Sequence, residues 1–464
     1  MNPPSVDGLQ AEAPCDLAIV GDGAAAALLA IRALAQARPG SRIVLVGPGE
    51  PGAGIAYATD DPGHCLNVPA GKMSALAEVP GDFVDFLRRA GLADDLPGDA
   101  LAGRYVPRGW YARYLQARLQ QAIAASVAAW TQLRQRAIGL AGQPGAWQLL
   151  LDDGRALEAG RVVLAVGNAL RPLPLATEVP AGAVVQAWDV PALRAIDPAA
   201  DVLVVGTGLT MADVVVTLRG QGHRGRIDVV SRHGLMPLPH AVAGPWPFDA
   251  QALLALPLRA RVRALRREVA TATAAGQPWQ AVLEAIRPLG VRLWTTLSAA
   301  DQRRFLRHVV RPWDVHRHRI APAVDAVLQA ARADGQLQLH RGGVRALARA
   351  ADGRLQATLG QGGSTTVDVV VNATGLQVQV RRMDAPLLHG LLASGLARPG
   401  PHGLGLDVAV DAAGVACLRD AGGSIQPDLL LVGSLRMGAE WETIAIPELR
   451  SQAAATAAAA LAPG

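Results

Sequence analysis

Two short runs carry residue types that could hold a nucleotide, Gly21-Asp22-Gly23 and Gly206-Thr207-Gly208. Each follows an apolar stretch, residues 16–20 and 201–205, and each opens a helical pattern, residues 24–38 and 209–219. Glycine suits such a strand-to-helix turn because the backbone takes angles that side chains forbid. It also lets the chain come close to a pyrophosphate. The helix start then offers free N–H groups and the positive end of a dipole to the phosphates. The first turn reads Gly21, Gly23, Ala26, with alanine small enough for close helix–strand packing. The second reads Gly206, Gly208, Met211, and its bulky third residue weakens it as a fingerprint on its own. Two turns imply two nucleotides, and a flavin with a nicotinamide is the natural pair. The plain alternative is a glycine turn in an α/β domain that binds nothing.

The residues just beyond each second strand refine the pair. Residues 42–46 end at Gly47, where an acid would ordinarily take the ribose hydroxyls, and Glu50 is the nearest substitute. Without Glu50, ribose binding falls to backbone groups. Residues 226–230 run into Ser231-Arg232, with no acid for a free 2′-hydroxyl and an arginine able to pair with a 2′-phosphate. NADPH is therefore favoured over NADH, the alternative being an arginine on a solvated loop. Cys15, Cys65 and Cys417 form no C-x-x-C, so neither a disulfide framework nor a redox dithiol is expected. His316 and His318 lie in the densest polar cluster, residues 313–319, without partners at metal-ligand spacing. No metal is expected there; a charged cap or a cofactor-phosphate contact is.

The elements that must position these residues need two domains, which 464 residues allow. The chain carries +5, and Lys72 is its only lysine. Its arginines are scattered, which argues against a nucleic-acid surface and fits a genomic bias or an electropositive face for anionic dinucleotides. The Arg-rich stretch to residue 319, with Arg303, Arg304 and Arg307, keeps an RNA-binding alternative open. No Lys or Arg precedes Arg32, and no apolar run reaches membrane length. A cytoplasmic protein is expected. Residues 1–14 read as a disordered leader, 15–185 as a first domain, 186–370 as a second, and 371–464 as a return to the first. Within the second, residues 249–335 form a helical insertion. Residues 47–54 must fold as a tight Gly/Pro loop. Helices are expected at 82–90 and 109–133, a hairpin at 147–159, and a buried strand at 161–167 ending on Gly167. Short strands follow near 336–339, 355–359 and 428–432, then a helix from 447.

A third motif, Asp368-x-x-x-Asn372-Ala373-Thr374-Gly375, closes a strand. With it the chain resembles bacterial FAD/NAD(P)-binding oxidoreductases related to the class B flavin monooxygenases. Leu66-Asn67-Val68-Pro69-Ala70, Ser231-Arg232-His233-Gly234 and residues 54–57, 206–213 and 441–448 carry the likeness across nearly the whole chain. The resemblance implies an α/β fold of two Rossmann-like dinucleotide-binding domains, an FAD domain with an inserted NADPH domain, plus the helical insertion. It puts residues 64–73 beside the isoalloxazine ring, with Asn67 and Lys72 as candidate catalytic residues; an ordinary surface loop is the alternative. Tyr105-Val106-Pro107-Arg108 with Tyr111 resembles a flavin-contacting stretch, although helix entry explains Pro107 equally. Cofactor contacts are thus expected from Gly21, Gly23, Ala26, Glu50, Leu66, Asn67, Val68, Arg108 and Gly167. For the nicotinamide nucleotide they are Gly206, Gly208, Leu209, Thr210, Ser231 and Arg232, with Thr374, Gly375 and Trp441 completing the set.

The third motif is similar to the Asp-x-x-x-Leu-Ala-Thr-Gly run of ornithine and lysine N-hydroxylases, departing at Asn372 and Leu376. The long Baeyer–Villiger signature is absent. The implied activity is a monooxygenase reduced by NADPH. It passes one oxygen of O₂ through a flavin hydroperoxide to a small substrate, with an amine nitrogen among the acceptors. A flavin reductase or dehydrogenase without oxygen insertion, and an FAD-containing RNA- or partner-binding protein, are the alternatives.

Overall fold

Long aliphatic runs such as Leu17–Val20 and Ile43–Val46 are buried on both faces, the mark of strands inside a parallel sheet covered by helices. A computed structural model describes residues 11–93, 97–167, 169–175 and 182–462; residues 1–10 of the expected leader lie outside them. The chain forms two compact units. One draws on the chain up to Asp60, on Pro69–Leu170 and on the chain from Gln377; the other on Asp61–Val68 and Arg171–Leu376.

In the first unit five strands run parallel in the order Ala129–Leu133, Arg42–Val46, Ala11–Val20, Ala156–Leu164, Ile425–Leu431. Val408–Val410 and Ala416–Arg419 extend one edge antiparallel, and Ala137–Gln143 with Ala146–Leu151 form a meander on Ala156–Leu164. Three expectations change here. Residues 11–14 are the start of the first strand, pairing Ala11 with Ala156 and Glu12 with Leu157, and Arg155 bridges Glu12 to Asp153. The expected helix at 109–133 is Arg108–Ala125 followed by the strand Ala129–Leu133. Pairing with Arg42–Val46 overrides the helical bias of that stretch. The hairpin strand and the strand at 161–167 are one element, Ala156–Leu164.

In the second unit five parallel strands follow the order Leu337–Arg341, Ile227–Ser231, Val202–Val205, Val369–Asn372, Val184–Gln186. The expected boundaries at 185/186 and 370/371 fall inside two of these strands. Strands of three or four residues, such as Val184–Gln186 at the edge and Val369–Asn372 inside the sheet, give the sequence little signal of which sheet they join. An antiparallel sheet, Val344–Arg349, Leu355–Leu359 and Ser364–Val367, adds two strands that were not expected. The helical insertion builds its own core around Leu253, Val282, Ile286 and Leu293. Arg261 is buried in it, donating to the carbonyls of Leu254, Leu256 and Leu293.

Both parallel sheets place the glycine-turn strand at the centre, its successor on one side, and a later strand on the other. That is a doubly wound order, and it opens a crevice at the carboxyl ends of the two central strands.

Candidate cofactor-binding sites

Gly21 has φ +132°, and its N–H donates to Val46 O at 2.8 Å. A Cβ there would collide with the carbonyl of Ala165, just past the neighbouring central strand. The turn is therefore pressed into the sheet's crevice, and only glycine fits. Gly23 starts the helix Ala24–Gln36 with no side-chain cap. A Cβ on Gly23 would come no closer than 3.9 Å to a protein atom, Gly54 Cα. The protein itself does not demand glycine at that position, whereas a close-lying ligand would. Ala26 is fully buried beneath the helix.

Asp22, between the two glycines, organises the Gly/Pro loop. Its Oδ2 accepts from Gly49 N at 2.6 Å and its carbonyl from Gly52 N at 2.8 Å. Gly47, where a ribose-binding acid is missing, has no room for a side chain, because a Cβ would lie 2.8 Å from Asp22 Cβ. Glu50 sits on this loop, more than half exposed and paired with Arg134 at 2.6 Å.

The second turn repeats the plan. Gly206 has φ +117°, donates to Val230 O at 2.9 Å, and would place a Cβ against the carbonyl of Ala373. Gly208 starts the helix Leu209–Gly220 and has nothing within 4 Å of a would-be Cβ. Leu209 and Thr210 form the half-buried first turn, and Met211 is fully buried, so its bulk goes into the core. Thr207 takes the part of Asp22. Its hydroxyl donates to Leu235 O at 2.5 Å and pairs with the Ser231 hydroxyl at 2.7 Å, which accepts from Gly234 N at 3.1 Å. In both units the middle residue of the turn ties it to the loop after the second strand.

Arg232 is exposed and has no hydrogen-bond or ion-pair partner among the described residues. Burial, reinforced by Arg311 and Arg232 nearby, holds the Arg171 guanidinium below its usual range. The Ala-Thr-Gly motif positions that arginine. Asn372 Nδ2 donates to Arg171 O at 2.8 Å, Thr374 Oγ1 donates to Asn372 Oδ1 at 2.7 Å, and Arg171 N donates to Gly375 O at 3.1 Å. Thr374 and Gly375 thus act behind the turn as a brace.

The two candidate catalytic residues fall in different units. Asn67 belongs with the second, where its carbonyl accepts from His240 Nε2 at 2.9 Å. Lys72 is exposed in the first, at the end of the single 3₁₀ turn Ala70–Lys72. Leu66 is buried and Val68 half-buried in the same segment as Asn67. Arg108 opens the helix Arg108–Ala125 directly after Pro107, so Pro107 does serve helix entry. Gly167 takes φ +69° just past the strand. Trp441 has φ +54°, an unusual angle for an aromatic residue and a local strain.

Two hydroxyls in the first unit stand out, Tyr111 in the stretch that resembles a flavin contact and Ser434, which gave no sequence signal. Ser434 Oγ and Tyr111 OH are buried without a hydrogen-bond partner among the described residues, a state that costs about 1–3 kcal/mol unless a ligand relieves it. Ser434 follows Gly433, whose would-be Cβ lies 3.4 Å from Ala25 Cβ in the first turn of the Gly23 helix. A glycine directly after a buried strand, as at Gly167 and Gly375, is the pattern that could have marked it. These cradles and orphaned hydroxyls suit bound dinucleotides. In the insertion, His316 Nδ1 bonds Pro312 O at 2.7 Å and its ring packs edge-on against Trp279. Among the described residues no cluster of three His, Cys, Asp or Glu could hold a metal. Arg303, Arg304 and Arg307 are exposed, and Arg304 pairs with Asp301.

Residues 18–169 match a family model described as FAD-NAD(P)-binding. No curated protein matches the chain. Among solved structures, the ornithine N-hydroxylase of Kutzneria sp. 744, solved with reduced FAD, NADP⁺ and L-ornithine, superposes with a TM-score of 0.64 at 16% identity, covering 97% of this chain and 99% of that one. The L-lysine 6-monooxygenase of Pseudomonas syringae gives 0.59 at 18% identity, over 96% and 98%. The bacillithiol disulfide reductase of Staphylococcus aureus gives 0.53 at 11%, over 96% and 98%. The chain shares the fold of these enzymes across almost its whole length. No helix among the described residues is long and apolar enough to cross a membrane.

Proposed function

We propose that the chain is an FAD-dependent, NADPH-reduced monooxygenase that hydroxylates a small amine at nitrogen in the cytoplasm. The overall change is NADPH + H⁺ + O₂ + R–NH₂ → NADP⁺ + H₂O + R–NHOH. The observation that carries the reading is the pair of glycine turns. Each sits at the crevice of its own parallel sheet, with a second glycine whose Cβ no protein atom would block. The ornithine and lysine hydroxylases with the same fold support the amine.

In this reading Gly21, Gly23 and Ala26 hold the FAD pyrophosphate, and the Ser434 hydroxyl finds its partner on the same cofactor. Glu50 or backbone groups of the loop that Asp22 ties down take the ribose. Leu66, Asn67, Val68, Arg108, Gly167 and Trp441 line the flavin. Gly206, Gly208, Leu209 and Thr210 hold the NADPH pyrophosphate, with Ser231 and Arg232 toward the 2′-phosphate. Bound FAD would supply the redox chemistry, taking two electrons from the nicotinamide and activating O₂. The chain's own task is to orient both cofactors and to keep the reacting centre dry. Asn67 and Lys72 are the side chains assigned to hydrogen-bond near that centre.

The absorption spectrum of the purified protein tests the cofactors: flavin bands bleached quickly by NADPH and slowly by NADH are expected. NADPH oxidation is then followed with L-ornithine, L-lysine and simple diamines, measuring hydroxylamine product and peroxide. The disulfide reductase of the same fold favours one second reading, electron transfer without oxygen insertion. Peroxide release that no amine suppresses would support that reading and sink the monooxygenase.

A further inference from the structure

Eight residues, Asp61–Val68, leave a stretch of chain that otherwise belongs to the first unit and fold with the second. They are seated on the helix Leu209–Gly220, which starts at the Gly208 cap. His64 is buried, with Nε2 2.8 Å from Thr217 Oγ1 and 3.2 Å from Asp213 O. Asp213 and Thr217 are four residues apart and share one face of the helix. Thr217 donates its only proton to Asp61 Oδ2 at 2.7 Å, so it must accept from His64. That fixes the His64 tautomer with hydrogen on Nε2, shared between Thr217 and Asp213. Asp61 Oδ1 in turn accepts from Gly63 N at 2.9 Å. Gly63 lies so close to Val216 that a Cβ would collide with it, which lets the segment seat directly on the helix. At the far end, Asn67 O accepts from His240 Nε2 at 2.9 Å, and His240 N donates to Ile320 O at 3.0 Å.

We propose that the Asp61–Thr217–His64 clasp transmits occupancy of the Gly206 turn by a dinucleotide phosphate to the segment carrying Leu66, Asn67 and Val68, with His64 and Thr217 as positioning residues. The inference rests on the proposed function for the identity of the nucleotide. A ligand on the turn restrains the helix that begins there, and the clasp restrains the segment with it. The nicotinamide nucleotide thereby sets the order of the segment, a coupling through ordering that needs no large movement.

Hydrogen exchange by mass spectrometry on the purified full-length protein, with and without NADP⁺, tests this. In the native chain, NADP⁺ is expected to slow exchange at residues 206–212 and also at 63–68, by about tenfold, an ordinary coupling between sites. Thr217→Val keeps the shape and deletes the hydroxyl. It should leave protection at 206–212 and reduce that at 63–68 to less than about twofold, and Thr217→Ser should restore it. His64→Phe reads the same link from the other side, and melting curves check that each variant folds. A merely structural Thr217 would change exchange with and without NADP⁺ alike. Protection at 206–212 with none at 63–68 in the native chain overturns the clasp alone, as does full transmission in Thr217→Val. Absence of protection at both places overturns the nucleotide reading and the clasp with it.

Discussion

Gly21, Gly206 and Gly208 are alike in sequence but not in what they must avoid. Alanine at Gly21 or Gly206 would press a methyl group onto a sheet carbonyl at positive φ. Gly206→Ala is therefore expected to cost about 2 kcal/mol or more and to abolish NADP⁺ binding, read by melting curves and titration. Gly208→Ala meets no protein atom within 4 Å. It should change stability by less than about 1 kcal/mol yet raise the KM for NADPH at least about tenfold, because the ligand needs that space. An unchanged KM would remove the pyrophosphate from this turn. Arg232→Gln should lower the NADPH-over-NADH preference about tenfold to a hundredfold, the range of a charge-assisted hydrogen bond. At this scale the geometry of the two turns was legible because glycine declares a positive φ in the sequence. Asp22, Thr207, Ser434 and His64 were not. Asp22, Thr207 and His64 depend on partners 27 to 153 residues away, which no local pattern records.

Among the elements, the insertion is held by a buried cation rather than by aliphatic packing alone. Arg261→Leu strands the carbonyls of Leu254, Leu256 and Leu293. It should destabilise the second unit by roughly 3 kcal/mol or more, seen as an earlier unfolding transition. The loop from the strand Ile227–Ser231 into the insertion carries His240, which burial, with Arg319 beside it, pulls down from 6.5 to about 4. Glu284 and Arg287 are its other charged neighbours. Because the folded value is depressed, the unfolded chain binds the proton first. The stability of the native protein should fall relative to His240→Gln as pH drops from 6.5 toward 4, and the difference should be flat above pH 7. Urea unfolding at a series of pH values measures it, and a constant difference would contradict it. The helices and central strands were legible from their apolar runs. Ala129–Leu133 follows an alanine-rich helix and carries no turn signal before it, so only pairing with Arg42–Val46 marks it as a strand.

At the scale of the molecule, two units with two crevices should respond separately to two ligands. NADP⁺ at a hundred times its Kd should add about 2.7 kcal/mol to the opening of the strand Val202–Val205 and much less to Ala11–Val20. Added FAD should do the reverse. Native-state hydrogen exchange on those strands distinguishes this from uniform stabilisation, which would mean one cooperative body.

By itself the sequence determined the layer architecture and the two glycine turns. Those follow from residue types and spacings within some thirty residues. Only the tertiary structure decided where the units divide, that Asp22 and Thr207 lock their turns, and that Asp61–Val68 crosses to the second unit. The physical reason is one of range. Backbone angles and apolar periodicity act between near neighbours, whereas hydrogen bonds such as His64 to Thr217, 153 residues apart, exist only after the sheets have formed and brought both ends to one helix face.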